Sequence, residues 1–381
     1  MSFRDSSIEL TRSLPKDTKQ EQGIFFTPKE ARDVVFAILD AHKVKPKNIL
    51  EPSFGSGEFI EDAYAKYPRA KITGIELNST LFQSLDRPNL YNQDFRTYVG
   101  KHDLILGNPP YFVMDKSEET AKCQTGRPNI FVQFVYKAVT EHLTKGGYLA
   151  FVLPNSFFNC AYYEPTRRYL FEHTTVLAAT PLEGKYLDTA QDTFALVLRN
   201  GKTNDDYFVE RNGNVYLNPD YKELREMFTS SKTLYELGFE VKTGDVVWNQ
   251  EKEKLAKEGT LLLYSSNFSK GTIVLGGLKD PKKQYITGFK RPPLSGKTIL
   301  INRGYGNTSY KLIAVIADYP SYYAENHVNV IRPQTEEAAA RIEKVLQSLQ
   351  SEKTSRFIRS FVGNGALSKT EIERCLPIWL D

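Results

Sequence analysis

Through the first half of the chain, short apolar runs alternate with longer segments of helical period. NILE (48–51), AKITGIEL (70–77), DLILG (103–107), GYLAFVL (147–153), TVLAATPL (175–182) and TFALVLRN (193–200) read as strands. Between them, ARDVVFAILDAH (31–42), GEFIEDAYAKY (57–67) and NIFVQFVYKAVTEHL (129–143) repeat apolar residues every three to four positions and read as helices. This βαβ rhythm predicts an α/β fold, a mostly parallel sheet with helices on both faces.

The rhythm changes near GKTNDDYFVERNGN (201–214), a polar stretch with Asn and Gly that marks a boundary. Beyond it VKTGDVVWN, GTLLLYSSNF, GTIVLGG and KTILINRGYG read as strands with turns between them, and EEAAARIEKVLQSLQ as a helix. The pattern predicts three parts: a polar N-terminal arm over 1–20, an α/β domain over 21–210, and an α+β domain over 215–381. A chain of 381 residues has the length for two cores. Neither an internal repeat nor a low-complexity tract interrupts it.

Composition narrows the setting. Three widely spaced cysteines, Cys123, Cys160 and Cys375, point to a reducing, cytoplasmic compartment without a disulfide framework. Their spacing relative to the five histidines contains no zinc-binding pattern, so no metal is expected. No run reaches the roughly 18 apolar residues of a membrane span. The net charge of +4 is unevenly placed: residues 1–200 hold 24 Lys+Arg against 24 Asp+Glu, and 201–381 hold 26 against 22. Between Lys270 and Lys311, nine cations face one acid, Asp280, and Tyr285, Phe289, Tyr305 and Tyr310 lie among them. That mixture suits a phosphate-bearing partner, with Lys282, Lys283, Lys290 and Arg291 as the candidate contacts.

The candidate chemistry sits at strand ends. In DLILGNPPYFV (103–113), Pro109 and Pro110 must terminate a strand, because proline cannot donate to the ladder and fixes φ near −65°. Asn108 and Tyr111 then project from a stiff platform at a strand's C-terminal end, where open α/β sheets bind ligands. In NILEPSFGSGEF, Gly55 and Gly57 allow the backbone to approach a ligand closely, although no GK[ST] and no full GxGxxG follows. Glu76 ends the next strand, where an acid can accept hydrogen bonds from a ribose diol. Asp94 beside Phe95 offers an acceptor and a stacking face for an adenine.

GIFFTPKEA, LEPSFGSG, GIELN, QDF and LGNPPYF follow one another in the order found in the gamma-class N6-adenine DNA methyltransferases, which this chain resembles over about residues 20–200. The resemblance implies a class I, Rossmann-like methyltransferase domain, S-adenosyl-L-methionine as cofactor, double-stranded DNA as partner, and a C-terminal target-recognition domain. It maps Thr27, Glu51, Gly55, Glu76, Asp94, Phe95, Asn108 and Pro110 onto cofactor-binding positions. For catalysis it implies the side-chain oxygen of Asn108 and the carbonyl of Pro109 as acceptors for the target amine. Tyr111 would cover one face of a flipped base and Phe194 is the candidate for the other, a plain strand-core position being its alternative. A monomer working beside a separate cognate endonuclease is the family expectation. The second half resembles such recognition domains more loosely, in GFEVKTGDVVWNQ and GNGALSKTEIERCLPI.

Two rival readings share parts of this pattern. RNA N6-adenine and protein glutamine methyltransferases use the same tetrapeptide, but they generally lack so large a C-terminal domain. A restriction nuclease is suggested by Asp220, Glu240 and Lys242, which imitate a PD…ExK metal site, yet a fused nuclease would need on the order of 100 further residues.

Overall fold

The computed structural model describes residues 3–182, 192–203, 207–279, 281–303, 311–361 and 367–380. Asp280, Tyr305 and Tyr310 of the basic stretch, 183–191 before Phe194, and parts of the 201–214 boundary and of GNGALSKTEIERCLPI lie outside the described residues. The chain forms two compact units, Met1–Glu210 with Asn214–Tyr221, and Arg211–Gly213 with Lys222–Asp381.

The first unit is built on a seven-stranded sheet of β1 (Asn48–Glu51), β2 (Lys71–Glu76), β3 (Leu90–Asn92), β4 (His102–Gly107), β5 (Leu143–Pro154), β6 (Thr174–Leu182) and β7 (Thr193–Asn200). Their order is β3-β2-β1-β4-β5-β7-β6. β1 pairs in parallel with both β2 and β4, while β7 runs antiparallel between β5 and β6. The mostly parallel α/β sheet expected from the sequence is thus present. Strand order reverses between β1 and β4, and that switch point opens a crevice above the strands' C-terminal ends.

Helices on the two faces close separate cores. α3 (Lys29–Ala41) buries Ala31, Val35, Phe36 and Leu39, a spacing that places them on one stripe against β1, β4 and β5 residues such as Ile49, Leu104 and Val152. Helix Ile130–Lys137 covers the other face, where Phe131, Phe134 and Val135 meet Leu50, Ile105 and Phe151. The helix expected through 143 changes at Ala138 into a π-helical turn ending at His142. There His142 Nδ1 bonds the Gly100 carbonyl at 3.0 Å, and its ring sits 5.0 Å from that of Phe95. The polar arm folds as α1 (Asp5–Ser13) and α2 (Lys16–Gln22). It is tied down by Ser7 Oγ, which reaches Ser56 Oγ at 2.9 Å and Glu58 Oε1 at 2.5 Å. Glu58 opens α4 (Glu58–Lys66), which Gly57 caps at φ 82°.

The second unit holds another seven-stranded sheet, ordered Phe239–Thr243, Val328–Pro333, Leu294–Asn302, Ala314–Ala324, Thr260–Leu263, Tyr285–Ile286 and Leu255–Ala256. Sequence patterning passes over Ala314–Ala324 because Pro320 interrupts it. The structure accommodates that proline at a bulge, where pairing steps from Leu294↔Tyr322 to Gly296↔Tyr319 and leaves Pro320 outside the ladder.

Buried histidines set an acid limit on the fold. His102 is 6% exposed, its Nε2 lies 3.0 Å from the Tyr98 hydroxyl, and its Nδ1 has no hydrogen-bond partner among the described residues. Burial, with neighbouring His142, pushes the imidazole down to about 4. An unfolded chain binds this proton near pH 6.5 and the native one only near pH 4, so stability is full above the upper value and declines through that window. The expected loss is roughly 3 kcal/mol, and urea midpoints against pH should be flatter for His102→Gln. Identical profiles for the two proteins would refute this assignment.

Candidate active site

Above the switch point lies a cavity of about 790 Å³ including its open mouth. Three strand ends build it. Pro52, Ser53 and Gly55 come from the turn after β1, Glu76, Leu77 and Asn78 from the end of β2, and Asn108 and Pro110 from the turn after β4. Gln93–Arg96 form a fourth wall, Gln22–Phe26 a fifth, and Phe112, Ile130 and Phe134 an apolar floor. Six residues expected at a cofactor therefore share one space: Gly55, Glu76, Asp94, Phe95, Asn108 and Pro110.

Glu76 organises the upper wall. Its Oε2 accepts from the Gly55 amide at 2.8 Å and its Oε1 from the Asn78 amide at 2.7 Å. Burial raises its carboxyl above the ordinary range, and these backbone bonds partly offset the rise. Gly55 sits at φ 56°, a left-handed conformation that glycine adopts without strain. At Asp94, burial would raise the carboxyl, but the side-chain and backbone bonds from Arg96 outweigh it and the net shift is downward. Arg96 Nη2 approaches Asp94 Oδ2 at 2.6 Å and the Arg96 amide approaches Oδ1 at 2.8 Å. Phe95 is 2% exposed, with its ring 4.8 Å from that of Phe134.

The Asn-Pro-Pro-Tyr turn is held from both sides. Asn108 Nδ2 donates to the Phe25 carbonyl at 3.1 Å, while its Oδ1 accepts from the Tyr111 hydroxyl. The amide cannot reverse without setting carbonyl against carbonyl, so its acceptor is fixed. The Tyr111 hydroxyl also reaches the Val152 carbonyl at 2.8 Å, and its ring meets Phe131 edge-on at 5.7 Å. Pro109 is buried. Gly23, at φ 62°, lets its backbone pass so near this turn that a Cβ there would lie 2.6 Å from the Tyr111 amide nitrogen.

Thr27 and Glu51 stand one layer behind the wall, 3% and 2% exposed. The Thr27 carbonyl accepts from Arg32 Nη1 at 2.5 Å. Glu51 Oε1 accepts from the Ser53 amide at 3.2 Å, and burial holds its carboxyl well above the usual range. Gly107 has φ 146°, and a Cβ there would meet Glu51 Oε1 at 2.3 Å. Gly107→Ala is therefore expected to displace Glu51, break its bond to Ser53 and cost at least about 1–3 kcal/mol, read as a lower melting temperature together with weaker cofactor binding. An unchanged melting temperature would show that the contact relaxes freely.

Phe194 requires a correction. It was expected on the open face of a base, but it is fully buried in β7, opposite Leu153 and Pro181, with its ring 4.1 Å from Phe158. Alternation along β7 points it into the sheet's packed face, so it is a core residue. Several cavity residues went unrecognised in the sequence: Ile24–Phe26, Leu77, Asn78, Arg96 and Phe112. Leu77 carries a usable signal, an aliphatic residue 65% exposed directly after the strand-ending acid.

In the second unit the four expected phosphate contacts differ in availability. Lys290 and Lys283 are exposed, the latter with Nζ 3.3 Å from the Leu255 carbonyl. Lys282 Nζ lies over Trp248 and Tyr264, 5.1 and 5.2 Å from their ring centres, and Arg291 pairs with Asp245. Glu240 pairs with Lys242 at 3.1 Å, and Asp220 belongs to the other unit. Among the described residues, no helix is long and apolar enough to cross a membrane and no cluster of His, Cys, Asp or Glu could hold a metal ion.

A family model described as the Eco57I restriction-modification methylase matches residues 58–185. The type II methyltransferase M.CvrRI of Paramecium bursaria Chlorella virus XZ-6E is 30% identical over 99% of this chain and 99% of its own length. Modification methylase CviBIII of Paramecium bursaria Chlorella virus NC1A is 28% identical, again over 99% of each chain. Among solved structures, the M protein of the type I restriction enzyme EcoKI aligns with 47% of this chain and 44% of its own at 18% identity, TM-score 0.38.

Proposed function

The chain belongs to the type II methyltransferases of restriction-modification systems, and from that membership we propose a particular reaction, methylation of N6 of an adenine rotated out of double-stranded DNA. DNA is its substrate class and S-adenosyl-L-methionine its methyl donor.

The cavity fits that donor. Glu76 and Asp94 supply carboxylate acceptors for ribose hydroxyls and an adenine amine, and their charge suits a sulfonium. Leu77, Leu81 and Phe95 offer apolar cover for a purine ring. S-adenosyl-L-methionine supplies a methyl carbon already bonded to positively charged sulfur.

The chain's own part is to make the amine reactive. An exocyclic adenine amine is a weak nucleophile, because its lone pair is delocalised into the ring. Asn108 Oδ1 and the Pro109 carbonyl accept from its two N–H groups and draw it toward tetrahedral geometry, which frees that pair. The two prolines keep those oxygens from retreating. Holding reactants aligned is worth several kcal/mol, on the order of 7–11 at best. As N6 bonds the methyl carbon, the carbon–sulfur bond breaks, leaving a neutral thioether, and the acidic proton of the methylated amine passes to water. Rotating the base out costs roughly a few kcal/mol. Stacking on Tyr111 returns about 1–3 kcal/mol, once the ring leaves its edge contact with Phe131.

One observation carries this reading: Asn108 borders the cavity, the Phe25 carbonyl takes its amide nitrogen, and the oxygen so oriented, which accepts from the Tyr111 hydroxyl, keeps a second lone pair for a substrate. Incubating plasmid DNA with protein and donor, then analysing nucleosides by mass spectrometry, should yield N6-methyladenine. A methylated cytosine, or methylation of RNA or protein alone, would overturn it. Single-molecule sequencing of the same plasmid maps the site.

For DNA affinity, Lys283→Ala and Lys290→Ala should each reduce the slope of log K against log salt by about one unit. Arg291→Ala should do less, because Asp245 already neutralises that guanidinium. Salt slopes unchanged in both lysine variants would remove this surface from the interface.

A further inference from the structure

One loop of the second unit turns apolar side chains outward where its neighbours turn theirs in. The chain passes from Phe268–Ser269 through Lys270 and Gly271, at φ 48° and 82°, into the returning strand Thr272–Ile273. Ile273 packs against the cluster containing Leu261 and Phe268, and Leu278 against the one containing Leu262 and Tyr264. Between these two anchors Val274 and Leu275 are 53% and 44% exposed.

The tip is braced from below. Asn267, 1% exposed, donates through Nδ2 to the Val274 carbonyl at 2.8 Å and to Gln284 Oε1 at 3.0 Å. Gln284 Nε2 donates to the Leu262 carbonyl at 2.6 Å, and its Oε1 accepts from the Gly276 amide at 3.0 Å. A pair of amides, Asn267 buried and Gln284 half-buried, thus fixes the loop's base. Gly276 and Gly277 have φ 86° and 67° with open space around each, so shape and not crowding selects glycine there. Exposed Lys270 and Lys279 flank the tip along the chain, and exposed Lys283 precedes Gln284 of the brace.

A braced apolar point flanked along the chain by exposed cations complements a surface that is anionic outside and apolar within, which describes duplex DNA. We propose that Val274 and Leu275 form a wedge that enters the base stack of the bound duplex and unstacks one step, with Lys270, Lys279 and Lys283 on neighbouring phosphates. Such insertion costs a few kcal/mol per step and is repaid by the contacts of the deformed duplex. The wedge rests on DNA as substrate and would assist the base rotation proposed above.

The test uses the full-length protein and a duplex bearing the mapped methylation site, with 2-aminopurine placed at each position in turn. Wild type should raise emission at the target adenine and at one further step. In Val274→Ser/Leu275→Ser that second signal should vanish, and kcat/KM should fall about tenfold or more. A mismatch at that step should restore the rate, because the step is already open. Melting temperature and S-adenosylhomocysteine affinity verify the fold, and Val274→Ile/Leu275→Met should behave as wild type. Wild-type kcat/KM with both signals intact in the serine variant overturns the wedge and leaves base rotation standing. Equal slowness on matched and mismatched duplexes also overturns it. No rise at the target adenine in wild type would instead overturn base rotation, whatever the second step shows. Altered sedimentation of the DNA-free variant with unchanged kinetics would assign the tip to a second copy of the chain and likewise overturn the wedge.

Discussion

Asn108→Ala should bind S-adenosylhomocysteine nearly as well as the parent protein and yet methylate DNA about 10²–10³-fold more slowly, the scale on which losing one preorganised polar group acts. Cofactor contacts survive because Glu76, Asp94 and the Gly55 turn are held by bonds independent of Asn108. What disappears is the oxygen whose direction the Phe25 carbonyl sets. Asn108→Asp separates acceptor from anchor: it keeps the oxygen but sets a carboxylate against that carbonyl, so its rate should fall between the other two. Single-turnover kinetics with excess enzyme isolate the chemical step. A parental single-turnover rate in the alanine variant would eliminate Asn108 from the mechanism.

The largest expected effect on stability is at Arg32, a guanidinium 4% exposed. It meets Glu58 at 3.0 Å and Asp62 at 2.6 Å, and donates to the Thr27 carbonyl. It thereby joins α3 to α4 and pins the segment that carries Phe25 and Phe26 along the cavity. Arg32→Leu strands the Glu58 carboxylate with, among the described residues, only Ser7 and the Arg4 amide, and a buried charge deprived of its partner costs about 3–5 kcal/mol. Urea unfolding measures that loss. Adding Glu58→Gln should recover part of it by removing the stranded charge. A loss below about 1 kcal/mol in the single variant would show that α3 and α4 do not depend on this hub.

These two sites also show where sequence reading succeeds. Asn108 and Glu76 were legible because strand-ending acids and a double proline are local signals, and a βαβ chain brings the C-terminal ends of its strands together. Arg32 carried no such signal, since its partners are 26 and 30 residues away in a different helix. Phe194 was misplaced for a related reason. An apolar residue at a strand's start fits a ligand-facing or a core position equally well, and only pairing with β5 and β6 tells which face it occupies.

By itself, then, the sequence determined the alternating strands and helices of the first unit, the rigid Asn-Pro-Pro-Tyr turn and the identities of the acids at strand ends. All of these are written in local periodicity and in the fixed geometry of proline and glycine. Tertiary structure alone decided that Phe25 orients Asn108, that Asp245 engages Arg291, that Pro320 lies at a bulge and that Val274 and Leu275 face outward. Each of those depends on partners distant along the chain, and hydrophobic pattern records only that a residue is apolar, not which neighbour will cover it.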